Sequence, residues 1–275
     1  MEFASHASLK TRYNKQFKSD SARLAFLVWV KFCVYGGQIK CSGRVLHTLI
    51  GRYVQGVKMS IDGHCVVIKI GSYEFMTRFI RDGEMFFRRA KGFRKGFGIE
   101  RGDKNELLTQ ALDPKNTTLT VNGIEVTGIV STILVDDGVD NPLIYSMYSV
   151  GKNHLLPNRP HLIDPKCKNF GDYAVIITDL NAFYEKLKQQ HDRFGYGIVA
   201  NPIQYVAKDY VGELGCFKKF ADGYDHQEEW RIVLDNLPSD VETKTLNLGS
   251  LEDIAILCKF EDIENIIKVK GADCT

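Results

Sequence analysis

The residues best suited to chemistry lie in one block, Tyr224-Asp225-His226-Gln227-Glu228-Glu229-Trp230-Arg231-Ile232. Read as a strand that begins near His226, the block turns successive side chains to opposite faces. Glu228, Trp230, Ile232 and Leu234 then share one face, and Gln227, Glu229, Arg231 and Val233 share the other. The second face presents an amide, a carboxylate and a guanidinium in a row, about 7 Å apart on the strand rise. Such a row suits a polar ligand. Its carboxylate can accept a hydrogen bond from a ribose hydroxyl and stabilise positive charge developing beside it. The competing reading is an exposed strand with a Glu229–Arg231 surface pair, which contributes little in water.

A second constellation runs from Arg88 to Gly98. Arg88, Arg89, Lys91, Arg94 and Lys95 are interleaved with Phe93, Phe97 and three glycines. The cations can neutralise phosphates and release their counterions. The phenylalanines can stack on unpaired bases, which makes the run a candidate nucleic-acid surface. The other reading is a solvated basic loop whose phenylalanines belong to the core. A third feature, Asp136-Asp137-Gly138-Val139-Asp140, lacks the length and the terminal Glu of an EF-hand loop and reads as an acidic turn. No metal site is expected.

Several segments taken together resemble an uncharacterised family of bacterial and phage-borne proteins. They are Gly83-Glu84-Met85-Phe86-Phe87, Arg101-Gly102-Asp103-Lys104-Asn105-Glu106, Ile144-Tyr145-Ser146-Met147-Tyr148, Phe170 to Ile177, Pro202 to Tyr205, Phe217-Lys218-Lys219-Phe220 and the His226–Ile232 block. The resemblance covers about residues 73–258. That layout looks like the layout of ADP-ribosyltransferases, and the resemblance implies NAD as cofactor. It casts Glu229 as the carboxylate at the nicotinamide ribose and Gln227 as the group that orients the acceptor. Tyr145, Ser146 and Tyr148 become the middle element on the nicotinamide side. Arg78 becomes the early phosphate-binding residue, with Arg81 as the alternative; the guanidinium fork suits phosphate. The middle element here is Tyr-Ser-Met-Tyr-Ser rather than Ser-Thr-Ser. A ligand-binding version without catalysis therefore stands beside the enzyme. So does a nucleic-acid- or partner-binding protein of phage or defence origin.

Composition limits the field. The chain has 275 residues, 44% of them hydrophobic and 25% charged, which is ordinary for a globular protein. Its net charge of +2 conceals a split. Residues 1–104 carry 20 Lys and Arg against 8 Asp and Glu, while residues 105–275 carry 16 against 26. A local excess of this size can attract a polyanion. No apolar run approaches the roughly 20 residues of a membrane span. The basic, polar N-terminus lacks the apolar core of a signal peptide, so a cytoplasmic location is expected. Seven cysteines stand without a CxxC pair, and no HExxH occurs.

The elements that must position these groups are mostly strands. Val57–Ile61 and Cys65–Ile70 flank Asp62-Gly63-His64 and predict a hairpin. Tyr73–Ile80 reads as a further strand. Asn122-Gly123 predicts a second hairpin, Leu143–Val150 a central strand and Tyr173–Ile177 another. Helices are expected over Ala22–Tyr35 and over Asn181–Gln190, the latter capped by Thr178-Asp179. Ile263–Val269 reads as a short terminal helix. The elements do not alternate as βαβα, so the expected fold is α+β with mostly antiparallel sheets and few helices. A basic N-terminal part, residues 1–70, is expected to precede a main domain over 71–275.

Overall fold

A computed structural model describes residues 57–59, 64–94, 102–138, 141–151, 154 and 159–267. The expected helix over Ala22–Tyr35 lies outside the described residues, as do Lys95 and Phe97. The elements follow in the order β1 (Val57–Met59), β2 (His64–Gly71), α1 (Tyr73–Asp82), β3 (Glu84–Arg89), β4 (Gln110–Leu112), β5 (Leu119–Val121), β6 (Ile124–Val126) and β7 (Ile133–Val135). Next come β8 (Leu143–Gly151), β9 (Tyr173–Ile177), α2 (Leu180–Phe194), β10 (Gly197–Pro202), β11 (Gln204–Val206), β12 (Gly212–Glu213) and β13 (Lys218–Phe220). The chain closes with β14 (Glu229–Asp235), β15 (Thr243–Asn247), β16 (Ala255–Lys259) and α3 (Ile263–Ile266). The fold is α+β, with mostly antiparallel pairing, as expected. No helix among the described residues is long and apolar enough to cross a membrane.

The main sheet runs β1-β10-β14-β8-β2-β9-β16, with β3 and β15 attached beside β8. β8 is its centre. Apolar side chains pack on both of its faces, so Leu143–Val150 is an almost continuous apolar run rather than an alternating one. One face carries Leu143, Tyr145 and Met147 into a core shared with Trp230, Ile232, Phe79, Phe183 and Leu187. The other carries Tyr148 and Val150 against Ile68, Ile163, Ala174 and Ile176. α2 presents Phe183 and Leu187, four residues apart, to the first core. Asp179 caps it by accepting from the Ala182 amide, as expected. The Asn122-Gly123 hairpin also forms, with both residues at positive φ, the conformation a two-residue turn needs.

Three expectations are corrected. Tyr73–Ile80 is helical, not a strand. Its Tyr-x-Phe-x-Thr-x-Phe alternation imitates a strand, yet the buried pair is Met76 and Phe79, one helical turn apart. Tyr73 and Phe75 are exposed. Gly83, at φ 63°, ends the helix in the left-handed conformation that glycine adopts without cost. Second, β1 and β2 are not a hairpin: β1 pairs in parallel with β10, and β2 lies between β8 and β9. Third, the boundary near residue 70 falls at the end of β2, a strand inside the main sheet.

The feature that shapes the site is a gap in that sheet. Along one edge, β8 bonds to β14 over Leu143–Tyr148. Its other edge is divided. β3 pairs with Leu143 and Ile144, and β2 pairs with the stretch from Tyr148 onward. Among the described residues no strand covers Tyr145–Met147 on that side; the chain instead leaves β2, passes through α1 and returns as β3. A partly buried carbonyl at an uncovered edge still needs a donor. Ser146 O finds one in the Lys69 ammonium, at 2.5 Å. One wall is fixed by a close approach of two backbones: a Cβ on Gly171 would lie 2.1 Å from the Gly71 carbonyl carbon.

Candidate functional site

A cavity of about 760 Å³ occupies the gap. Because it opens where the sheet divides, side chains from both faces of β8 reach it, Tyr145 from one and Ser146 and Tyr148 from the other. Arg78, Gln227 and Glu229 line it too. These six residues come from α1, β8, a 3₁₀ turn over Asp225–Gln227 and β14, and lie up to 151 positions apart in the sequence (Arg78 to Glu229).

Its floor is a buried ion cluster. On β14, Glu229 and Arg231 point the same way, opposite Tyr148 and Ser146 of β8. Ser146 reaches diagonally, and its Oγ donates to Glu229 Oε1 at 2.5 Å. Arg231 Nε donates to the same oxygen at 2.7 Å, and Lys219 Nζ donates to Oε2 at 2.9 Å. The far side of the Arg231 fork grips Glu106 at 2.7 and 3.0 Å. Lys219 is 3.5 Å from Glu106 as well. Arg231 is 1% exposed and Glu229 4%. Two carboxylates and two cations thus balance, which is the condition under which charges survive burial. Burial alone would raise the Glu229 carboxyl, but Arg231 and Lys219 outweigh it and hold the group well below the usual carboxylate range. Lys219 is correspondingly held above its ordinary value: burial works against its charge, and Glu229 and Glu106 more than compensate.

A third carboxylate, Asp103, lines the same cavity and is 4% exposed. Its Oδ1 accepts the Asn105 amide at 2.8 Å. Burial pushes its carboxyl up, against the pull of Lys219, with Glu106 adding to the rise. Beside it, Tyr224 donates to Gly102 O at 2.7 Å.

The mouth has another character. Phe75 and Phe86 line it at 58% and 56% exposure. On β3, Glu84, Phe86 and Arg88 face the cavity side while Met85, Phe87 and Arg89 turn inward. Arg78 lies 4.8 Å from the Phe75 ring centroid and 3.3 Å from Glu84. Lys69 lies 4.1 Å from the Tyr145 ring centroid.

Arg81 does not join the site. It is exposed and bonds to Asp82. Gln227 reaches the cavity by an unexpected route. The chain forms a 3₁₀ turn over Asp225–Gln227, Glu228 takes a left-handed φ of 38°, and the strand begins at Glu229. The alternation read from the sequence therefore holds only from Glu229 onward. The Glu229–Arg231 pair lies in the interior, not on the surface.

The described part of the basic run, residues 88–94, is largely committed to the protein itself. Arg89 is buried and donates to the carbonyls of Val241, Asn141 and Pro238. That corrects its expected role as a nucleic-acid contact. Lys91 and Arg94 both bond to Asp136, and Arg94 also donates to the carbonyls of Glu106 and Leu107. Phe93 packs against Ala90, Leu107 and Ile144 and lines the cavity. Arg88 lines it as well. The acidic turn is thus an anchor: its cations hold the Asp136 carboxyl far below the usual range. Among the described residues no group of three or more His, Cys, Asp or Glu is placed to hold a metal.

Four functional groups were not identified from the sequence: Asp103, Glu106, Lys219 and Lys69. A buried Glu229–Arg231 pair demands further opposite charges, which is a usable signal. The sequence offers 34 acids, however, and nothing in spacing selects Glu106. No family model matches the chain, and neither a curated protein nor a solved structure matches it significantly.

Proposed function

We propose that the cavity binds NAD and that the chain is an ADP-ribosyltransferase-like enzyme. The observation that carries this reading is the convergence of Arg78, Tyr145, Ser146, Gln227 and Glu229 on one cavity. Its volume lies within the roughly 300–1,000 Å³ of small-molecule sites. The floor supplies an ionised carboxylate. Glu229 has about four lone-pair sites, and Ser146, Arg231 and Lys219 use three of them. The remaining one is available to a ribose hydroxyl. The mouth supplies flat apolar rings for a base or for nicotinamide, with Arg78 beside them for phosphate.

In the reaction the C1′–N1 bond breaks and its electron pair passes to the nicotinamide nitrogen, cancelling that nitrogen's positive charge. Positive charge gathers on C1′ and the ring oxygen, where a fixed carboxylate lowers the barrier. An acceptor lone pair then bonds to C1′ and the acceptor proton departs. A nucleic acid is the acceptor expected from the sequence; Arg88 at the mouth supports it, while the pairing of Lys91 and Arg94 with Asp136 weakens it. The reading takes the cytoplasmic setting expected from the sequence.

One observation favours a second reading, a nucleotide-binding protein without turnover. Glu229 is charge-balanced by two cations, which reduces its field at C1′. Nicotinamide release separates the two. The enzyme reading expects release by the wild type and a loss of about 100-fold or more in Glu229→Gln, with NAD still bound. Binding without release supports the second reading. Absence of both binding and release refutes each.

A further inference from the structure

We infer that Asp103 takes the proton from the acceptor, so that Asp103 and Glu229 divide the chemistry of the cavity between them. This rests on the NAD reading above. A base must have an oxygen to spare and must be willing to hold a proton. Glu229 is bonded by Ser146, Arg231 and Lys219, and all three favour its charged form. It suits stabilisation of positive charge and is a poor base. Glu106 is no better placed, since the Arg231 fork occupies both of its oxygens.

Asp103 is the opposite case in the same cavity. It is 4% exposed, and Oδ1 accepts from the Asn105 amide. Oδ2 has no described donor. The charged and titratable groups that act on it are Lys219 of β13, Glu106 of its own turn, Arg231 of β14 and Tyr224, whose hydroxyl bonds to the adjacent Gly102 carbonyl. Lys219 and Arg231 favour its carboxylate; Glu106 and burial oppose it, and burial is the largest influence. A carboxylate raised by its surroundings, beside one that is lowered, is the usual arrangement for separate acid–base and electrostatic roles.

The C1′–N1 bond breaks toward nicotinamide. The acceptor X–H forms a C1′–X bond with its lone pair. Its proton passes to Asp103 Oδ2, and the resulting carboxylic acid later returns that proton to water. Water serves as X–H in hydrolysis. An anionic nucleophile such as azide carries no proton and needs no base.

The test uses the full chain, NAD, and two nucleophiles, water and azide. Asn at 103 retains an oxygen for the Asn105 amide. Asp103→Asn is expected to bind NAD as the wild type does and to release nicotinamide about 100-fold more slowly in water. Azide is expected to restore the rate toward that of the wild type and to yield the ADP-ribosyl azide. The rise of the wild-type rate with pH is expected to vanish in the variant. A variant with wild-type rate and pH profile in water overturns the assignment, as does one equally slow with either nucleophile. Wild type that releases no nicotinamide with either nucleophile overturns the enzyme reading, and the role of Asp103 with it. If Asp103→Asn does not fold, the wild type decides alone. A solvent deuterium effect in water that disappears with azide is expected. An effect that persists with azide, or is absent in water, contradicts the assignment.

Discussion

The floor and the mouth of the cavity solve different problems with the same kinds of residue. On the floor, Glu229, Arg231, Lys219 and Glu106 are buried and answer one another completely. At the mouth, Phe75 and Phe86 stand open to solvent, with Arg78 about one-third exposed between Phe75 and Glu84. Burial makes each floor charge depend on its partners, because a lone charge cannot remain in the interior. The mouth residues carry no such obligation, and the fold gains little from leaving two phenylalanines in water. The floor therefore belongs to the architecture as much as to chemistry, whereas under the proposed function the mouth is kept for a ligand.

The largest expected effect breaks the floor. Arg231→Met leaves Glu106 and Glu229 facing each other with only Lys219 between them. We expect a loss of about 3–5 kcal/mol, read as a shift of the urea midpoint. A loss below about 1 kcal/mol would mean that the cluster behaves as a surface pair.

The next effect separates Glu229 from Asp103 by pH. Glu229 is held below its ordinary value, so its contribution is present above the unfolded-state pKa and is lost as pH falls through the folded one. Asp103 is raised, so the folded state holds its proton longer and stability declines as pH rises through that interval. Asp103→Asn is therefore expected to match the wild type at acid pH and to become relatively more stable toward neutrality. Unfolding midpoints of both proteins across the acid-to-neutral range check this. A difference that narrows toward neutrality contradicts it.

The smallest effect lies beside the mouth. Asp136→Asn removes the carboxylate that holds Lys91 and Arg94. Its stability cost should stay within about 1 kcal/mol, as for other exposed pairs. The released cations should strengthen salt-sensitive binding of a single-stranded oligonucleotide. Unchanged binding in a low-salt filter assay would remove the basic run from consideration as a nucleic-acid surface.

Much of the floor was legible in the sequence. A strand with Glu229 and Arg231 on one face and Trp230, Ile232 and Leu234 on the other follows from period two, and the structure has it. What the sequence could not show was that both faces of that strand are buried, which depends on strands and loops far away in the chain. The partners Lys219 and Glu106 were invisible for the same reason. The mouth was misread for a local cause. The aromatic residues of Tyr73–Ile80 alternate as in a strand, but Tyr73 and Phe75 are not core residues, so their spacing says nothing about a buried face. The true signal was the Met76–Phe79 interval followed by Gly83. The gap in the sheet, which creates the cavity, arises because β2 and β3 meet β8 at different places; register of that kind has no signature in a single sequence.

Calorimetric titration of NAD into the wild type and into Phe75→Ala combined with Phe86→Ala measures whether the cavity takes NAD between its exposed rings. Both side chains are exposed, so the double variant should unfold within about 0.5 kcal/mol of the wild type. The wild type should bind one NAD per chain and the variant should bind it about tenfold or more weakly, since stacked rings are worth about 0.5–1.5 kcal/mol each. No binding by the wild type, or equal affinity in the two proteins, would contradict this.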